Sequence, residues 1–252
     1  MIPYIGATTL SLGGITFQVW GTAVALGYAV ATYVAWRRAK AKGLDPAIVL
    51  DLAFWIFIAA FVGSKLFHVL VYEPGYYFAH PFEAFDFRKP GYAIFGGFMG
   101  AFLATFWILR KKALPFIAYA DVLIWGVPWG CGIGRIGCFL IHDHPGTLSN
   151  SLLAVKYPDG QSRHDLGLYL SLIGFATGIF FLILNRRPRG PGFWLGMYCV
   201  IEALCRFFLD FLRISDVRYG GLTPTQWISI PLGLLGIQLL RRSVRHMVTH
   251  SS

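Results

Sequence analysis

Apolar residues run along the chain in seven long stretches that short polar connections separate. A helix needs roughly 20 apolar residues to cross a hydrocarbon core of about 30 Å. The stretches are close to that length and lie near residues 16–36, 48–72, 92–109, 117–141, 167–184, 193–212 and 224–240. The pattern predicts an all-α, polytopic membrane protein with about seven transmembrane helices. No repeat or low-complexity tract interrupts it, so we expect a single integral membrane domain over residues 1–252.

The connections alternate in charge, which predicts an orientation in the membrane. Thirteen of the 22 lysines and arginines follow the first, third, fifth and last stretches, namely Arg37, Arg38, Lys40, Lys42, Arg110, Lys111, Lys112, Arg186, Arg187, Arg189, Arg241, Arg242 and Arg245. The other connections hold five, namely Arg88, Lys89, Lys156, Arg163 and Arg218. Because basic loops stay in the cytoplasm, we expect the N-terminus outside and the C-terminus inside the cell.

Composition supports a membrane protein over a nucleic-acid-binding one. The chain is 56% hydrophobic and 13% charged, against roughly 25% charged in a soluble domain. Its net charge of +10 comes from short clusters between apolar stretches and not from one basic face. We therefore expect the lipid bilayer as a partner and no nucleic acid.

Several cations lie inside or at the ends of the predicted spans. A charged side chain at the bilayer centre costs about 2.5–3.5 kcal/mol on insertion scales, so such residues usually have a function. With the predicted orientation, Lys65, Arg135 and Arg206 fall in the outer half of three helices and Arg213 at the outer end of one. Guanidinium groups match phosphate oxygens in a bidentate way. We expect an anionic lipid head group as the partner of Arg135 and Arg206.

An alternative explanation applies to the sixth span, where Glu202, Arg206, Asp210 and Arg213 follow one another at intervals of 4, 4 and 3 residues. That spacing places all four on one helix face. They could form a ladder of ion pairs that holds helices together, and this explanation stays open for Glu202 and Asp210.

The fourth span is rich in glycine around Arg135. Gly132, Gly134 and Gly137 fit the dinucleotide pattern G-x-G-x-x-G, but no β-strand precedes them, so the match is not informative. Pro128 and the glycines are expected to break or thin the helix and to expose backbone N–H groups that a phosphate could use. Close helix packing through small residues is the alternative.

At this segment the sequence resembles the prolipoprotein diacylglyceryl transferase family, whose signature is G-R-x-G-N-F-x-N-G-E. Residues 134–143 read GRIGCFLIHD, so Arg135, both glycines and Phe139 agree and Asp143 stands in the place of the acid. Residues 92–100 (YAIFGGFMG) are similar to the family's S-F-H-G-G-x-x-G. Further matches lie at Arg163, His164, Leu168 and Tyr169, at Arg206, Asp210, Arg213 and Asp216, and at Leu222, Thr223, Gln226 and Ser229.

The resemblance covers nearly the whole chain and implies a function. It implies transfer of the diacylglyceryl group of phosphatidylglycerol to the lipobox cysteine of a prolipoprotein, with release of glycerol phosphate and without a cofactor. The location it implies is the bacterial inner membrane. Arg135 and Arg206 would stabilise the charge that develops on the leaving phosphate. The other residues assigned to substrate binding are Arg213, Lys65, Gly134, Gly137, Gly96 and Gly97.

The thiol that is modified must lose its proton, and the residue for that step is not where the family has it. Phe95 replaces the family's histidine before Gly96 and Gly97. Two outer segments supply imidazoles beside acids, and the candidate catalytic residues there are His142, Asp143, His144 and His164. His164 has the strongest case, because it alone lies at a family-matched position. Zinc bound to the three histidines is conceivable, but no recognised ligand spacing is present, so we expect no metal centre.

Two other functions remain open. A divergent relative could keep the phospholipid pocket and use another acceptor or a hydrolytic step. A transporter could line a permeation path with the same charges, although the bias of the charges to one membrane face argues against it.

Overall fold

The computed structural model describes residues 1–86, 91–214 and 217–251, and it is mostly helical. Arg88, Lys89 and Asp216 of the predicted features lie outside the described residues. The helices are α1 (Val19–Ala41), α2 (Pro46–Phe67), α3 (Pro74–Ala79), α4 (Ile94–Lys111), α5 (Phe116–Ile141), α6 (Leu166–Leu184), α7 (Phe193–Leu209) and α8 (Pro224–Ser251). Three short helical segments add to them: a π-helical turn at His68–Tyr72 and 3₁₀ turns at Pro81–Phe85 and Asp210–Leu212.

Five helical segments are long and apolar enough to cross a membrane: Val19–Ala41, Pro46–Tyr72, Ile94–Lys111, Phe116–Ile141 and Leu166–Leu184. They make the chain a multi-pass membrane protein. α7 and α8 do not qualify. The 17 residues of α7 extend about 25 Å, and α8 ends in a segment that carries Arg241, Arg242 and Arg245. Seven spans are thus a prediction, of which five have the expected length and composition.

Short strands accompany the helices, which the apolar pattern did not predict. They are β1 (Ile2–Pro3), β2 (Thr9–Leu12), β3 (Ile15–Gln18), β4 (Pro145–Leu148), β5 (Val155–Lys156) and β6 (Ser162–Asp165). β2 and β3 form a hairpin that ends one residue before α1 begins, so the first helix starts later than residue 16. The other four strands form a sheet in the order β1-β5-β6-β4, in which β1 runs parallel to β5.

The chain divides into two compact units. The first unit comprises Met1–Arg38 and Asp121–Ser252, and the second comprises Ala39–Ala120.

The helices of the first unit meet through small residues. A Cβ on Gly130 would approach the Gly27 carbonyl oxygen of α1 at 2.7 Å, and one on Gly174 of α6 would approach the Gly132 nitrogen at 2.7 Å. Both contacts are shorter than real Cβ contacts, so only glycine permits this approach of the helices. Ser171 also donates a hydrogen bond to the Gly132 carbonyl oxygen at 2.8 Å. The packing explanation of the glycine-rich segment is therefore correct for these positions.

One prediction about α5 is wrong. The helix continues without a break from Phe116 to Ile141, with Pro128 inside it. Proline removes a single hydrogen bond, and the close packing of α1 and α6 along the same helix outweighs that loss. The glycines make the helix narrow on the faces that contact its neighbours, but they do not interrupt it.

The second unit is built on the pair α2 and α4. Asp45 caps α2 by accepting a hydrogen bond from the Ala47 nitrogen at 2.8 Å, and Pro46 is its first residue. Lys112 forms an ion pair with Asp51 at 2.7 Å. Large apolar side chains of α2 are exposed, as expected for a helix solvated by lipid, namely Leu50, Phe54, Trp55, Phe57, Ile58, Phe61, Val62 and Leu66.

Candidate active site

A small cavity in the first unit lies among α5, α6 and α7. Its walls are formed by Pro128, Cys131, Arg135, Leu170, Ile173, Gly174, Thr177, Tyr198, Glu202 and Arg206. Two of the arginines predicted to bind substrate, Arg135 and Arg206, thus come from different helices and line one space. The cavity has a volume of about 20 Å³, which holds about one water molecule. A phosphate group must widen it or bind at one end of it.

The charged face of α7 has the pairs that its spacing predicted. Arg206 donates from Nε to Glu202 Oε1 at 2.7 Å, and Arg213 Nε lies 3.1 Å from Asp210 Oδ1. Asp210 also accepts a hydrogen bond from the Thr223 hydroxyl. The ion-pair ladder therefore accounts for Asp210 and Arg213, which sit where α7 ends. It accounts for Arg206 only in part, since its terminal nitrogens have no hydrogen-bond partner among the described residues.

Arg135 is the least neutralised cation of the cavity. Its Nη1 lies 3.7 Å from the sulfur of Cys138, and no carboxylate of the described residues lies within ion-pair distance of it. The cavity thus has two guanidinium groups and one carboxylate, that of Glu202. An uncompensated cation in a buried site attracts an anion strongly, because the local dielectric constant is low.

The end of α5 brings three further groups towards Arg135. His142 follows the helix with φ of 51°, the left-handed conformation that reverses the chain after a helix end. This turn directs Asp143 and His144 back over the helix, so that their ligating atoms and the sulfur of Cys138 all lie within 4.8 Å of one another.

His144 is chemically suited to accept a proton. Burial lowers the pKa of its imidazole below the ordinary value, Asp143 opposes that shift, and the charges of Arg135 and Arg213 add to it. The imidazole is therefore neutral near pH 7, which a general base requires.

His142 and His164 have other surroundings. His142 is buried, and its Nδ1 lies 2.6 Å from Asp165 Oδ2. Its ring stacks on Tyr4 at 4.1 Å between centroids. Asp165 also accepts from the Tyr157 hydroxyl at 3.0 Å, and burial together with Asp165 raises the pKa of Tyr157, so that hydroxyl stays a donor. The His142–Asp165 contact joins the end of α5 to β6, the two segments that carry the predicted histidines.

His164 Nδ1 lies 2.6 Å from the Tyr169 hydroxyl. Asp165 in addition caps α6, because it accepts from the Leu168 nitrogen at 3.0 Å. His142 and His164 thus support the fold around the end of α5, and the structure brings His144, not His164, close to Arg135.

The remaining predicted binding residues divide between the units. Gly137 packs against Trp20 and Ala23 of α1, whereas a Cβ on Gly134 would meet only ordinary contacts with Val24. Lys65, Gly96 and Gly97 belong to the second unit. Lys65 is buried, and its Nζ lies 3.4 Å from the Tyr77 hydroxyl.

Phe95 is buried in the second unit, where its ring packs edge-on against that of Phe98 with 6.2 Å between the ring centroids. Its ring carries no proton acceptor, as the sequence showed. Gly96 packs closely on α2, where a Cβ would overlap the Gly63 backbone, so helix packing is the role its contacts support.

Sequence reasoning did not single out Cys131 and Tyr198, which line the cavity, or Cys138, which lies beside Arg135. The signal that could have found them is helical spacing. Cys131, Arg135 and Cys138 are 4 and 3 residues apart on α5, and Tyr198 is one turn from Glu202 on α7. This spacing places the polar residues of α5 on one helix face and those of α7 on another. The two faces together could have been predicted to contact each other.

These features define a class of protein: a multi-pass membrane protein with an arginine-lined cavity enclosed by its helices. The sequence model of the family described as "Prolipoprotein diacylglyceryl transferase" matches residues 7–242. The chain belongs to this family.

Named relatives agree over most of the chain. A phosphatidylglycerol–prolipoprotein diacylglyceryl transferase of Pseudomonas paraeruginosa is 30% identical over 250 residues, which cover 94% of this chain and 93% of the relative. The protein of that name from Geobacter sulfurreducens is 30% identical, with 94% and 95% covered. The one from Finegoldia magna is 31% identical over 230 residues, with 91% and 92% covered. The resemblance inferred from the sequence motifs is confirmed.

Proposed function

We propose that this chain transfers the diacylglyceryl group of phosphatidylglycerol to the cysteine thiol of a prolipoprotein. Family membership and the names of the relatives support the reaction. The observation that carries the assignment to a site is the pair Arg135 and Arg206, which line one cavity with a single carboxylate between them.

The chemistry follows from that charge. The acceptor sulfur, as thiolate, attacks the carbon of the diacylglyceryl group that is bonded to the phosphate oxygen, so a C–S bond forms as that C–O bond breaks. Glycerol phosphate leaves with the electron pair of the C–O bond and gains negative charge. Arginines fixed in place before the reaction stabilise this charge without reorganising. Arg213, at the outer end of α7, would extend the same cationic surface.

The proton of the thiol needs an acceptor, and we assign that role to His144. It is close to Cys138 and therefore to Arg135, and its imidazole is neutral near pH 7. His142 is engaged with Asp165 and His164 with Tyr169, so we assign both a positioning role. Asp143 would orient His144. Lys65, Gly134, Gly137, Gly96 and Gly97 remain predicted contacts of the lipid.

The membrane arrangement is part of the proposal. We propose seven spans, with α7 and α8 as the last two, the N-terminus outside and the C-terminus in the cytoplasm of a bacterial inner membrane. The uneven distribution of basic residues supports this orientation. It places the ends of α5 and α7, with Arg135 and Arg206, towards the outer face, where a secreted prolipoprotein would arrive.

A direct assay tests the function. Purified protein is incubated with phosphatidylglycerol and a lipobox peptide, and the peptide is analysed by mass spectrometry while glycerol phosphate is quantified. We expect a diacylglyceryl adduct on the cysteine and an equal amount of glycerol phosphate. Glycerol phosphate without peptide adduct would indicate the hydrolytic alternative, and neither product would contradict the proposal.

A further inference from the structure

At the end of α5, the thiol of Cys138, which the proposed transfer reaction does not use, lies beside the two side chains that it does use, Asp143 and His144. A thiol, a carboxylate and an imidazole, from Cys138, Asp143 and His144, have their ligating atoms within 4.8 Å of one another. Cys138 is buried, His144 is half-buried and Asp143 is exposed, so the group opens to solvent on one side. The turn at His142 creates this arrangement.

Sulfur, nitrogen and oxygen in this combination are the ligands of a borderline-soft divalent ion. Zn²⁺ takes cysteine, histidine and carboxylate ligands in a tetrahedral site, and a site with three protein ligands keeps a fourth position open. Ca²⁺ and Mg²⁺ require mostly oxygen ligands, which this group does not offer.

The imidazole is held as a ligating histidine is commonly held. His144 Nδ1 lies 2.8 Å from the backbone carbonyl oxygen of Asp143. A carbonyl oxygen only accepts, so in this rotamer Nδ1 carries the proton and Nε2 keeps the lone pair. A hydrogen bond from Nδ1 to a carbonyl oxygen fixes the tautomer of the imidazole and increases the basicity of Nε2, the nitrogen that would bind the ion.

The distances are compatible with closure around an ion. Ligands 2.0–2.3 Å from zinc in a tetrahedron lie roughly 3.3–3.6 Å from one another, so separations of up to 4.8 Å must shorten by at most about 1.5 Å. Side-chain rotation of the exposed Asp143 and the half-exposed His144 is sufficient for such a movement. Arg135 Nη1, at 3.7 Å from Cys138 Sγ, could donate to the metal-bound thiolate.

We infer that Cys138, Asp143 and His144 form a binding site for one divalent transition-metal ion, with zinc as the preferred ion. The sequence gives no indication of this site, because the spacing of Cys138, Asp143 and His144 matches no familiar metal-binding motif. His142 and His164 are not ligands, since Asp165 and Tyr169 engage them.

A functional consequence follows, and it rests on the proposed function. An ion bound to His144 would remove the proton acceptor, so zinc is expected to slow transfer by the wild-type protein. Whatever transfer rate Cys138→Ser retains should be insensitive to the same zinc concentration. Equal inhibition of both proteins would contradict this consequence.

The metal site itself is tested without any activity measurement. Purified full-length protein in detergent is titrated with Co²⁺, which reports a cysteine ligand through a thiolate-to-cobalt charge-transfer band. We expect the band to saturate at one ion per chain and to disappear when zinc displaces cobalt. Cys138→Ser should abolish the band, and His144→Asn should weaken zinc binding by at least about tenfold.

Two variants outside the group serve as controls, Cys205→Ala and His80→Ala, and helical circular dichroism verifies that every variant is folded. The controls should bind cobalt as the wild type does. Absence of the band in folded wild-type protein would overturn the inference, as would its persistence in Cys138→Ser or its loss in Cys205→Ala.

Discussion

The two units use the same device for packing and differ in what they enclose. In the second unit, α2 and α4 approach through Gly63 and Gly96, and the buried cation of this unit, Lys65, lies beside the Tyr77 hydroxyl. In the first unit, α1, α5 and α6 approach through glycines as well, but α5 and α7 also face each other with Arg135 and Arg206. Glycine-rich helices therefore indicate close packing in both units, and the pair of guanidinium groups around one cavity distinguishes the site from the scaffold.

The largest expected effect tests the proton acceptor at the charged end of the first unit. His144→Ala should lower the rate of transfer by about 10²–10⁴-fold, because the acceptor thiol then has no nearby base. His164→Ala should have a smaller effect, since Tyr169 is its partner. Peptide modification is measured at equal amounts of folded protein, with His80→Ala as the control. A full rate in His144→Ala would assign the base elsewhere.

The next effect distinguishes phosphate binding from the ion-pair ladder on α7. Arg206→Lys keeps the charge but loses the fork that binds phosphate, and we expect a rate reduced by about 10²–10³-fold. Asp210→Asn should reduce the rate less, because an amide can still bond to Thr223 and Arg213. Transfer is assayed after protein abundance has been matched. Equal losses in the two variants would favour the ladder.

The sequence predicted the apolar helices better than the strands and the course of α5. Apolar stretches located all the long helices, and a spacing of four residues gave the Glu202–Arg206 pair. The β2–β3 hairpin was not predicted, because its strands have only four residues each. Pro128 suggested a break that tight packing of α5 prevents.

The approach of His144 to Cys138 could not be predicted for a different reason. It depends on the left-handed conformation of His142, which only a few per cent of residues other than glycine adopt and which the sequence does not indicate. The assignment of the base to His164 relied on a motif position, which carries no information about distance to Arg135.

A stability measurement tests the packing role of glycine in the second unit. Gly96→Ala would place a Cβ against the Gly63 backbone and Phe67, and we expect a loss of about 1–3 kcal/mol in the free energy of unfolding. Gly97→Ala is the matched control, because its Cβ would make ordinary contacts of 3.5 Å and longer. Thermal unfolding in detergent measures both. A stable Gly96→Ala variant with impaired transfer would restore Gly96 as a lipid contact.

The predicted orientation in the membrane can be tested by a measurement that does not involve the transfer reaction. Reporter tags inserted at Lys42, Lys112 and the C-terminus should be cytoplasmic, and tags near Glu83 and Asp159 should be external. A cytoplasmic signal from residue 159 would reverse the placement of the charged cavity relative to the membrane faces.

The central claim is that Arg135 and Arg206 together bind the phosphate of a phospholipid, and native mass spectrometry of lipid binding tests it most directly. Wild-type protein and the double variant Arg135→Gln, Arg206→Gln are mixed with equal amounts of phosphatidylglycerol and neutral diacylglycerol. We predict that the wild type retains phosphatidylglycerol in preference to diacylglycerol and that the folded double variant loses this preference. An unchanged preference in the double variant would contradict the account.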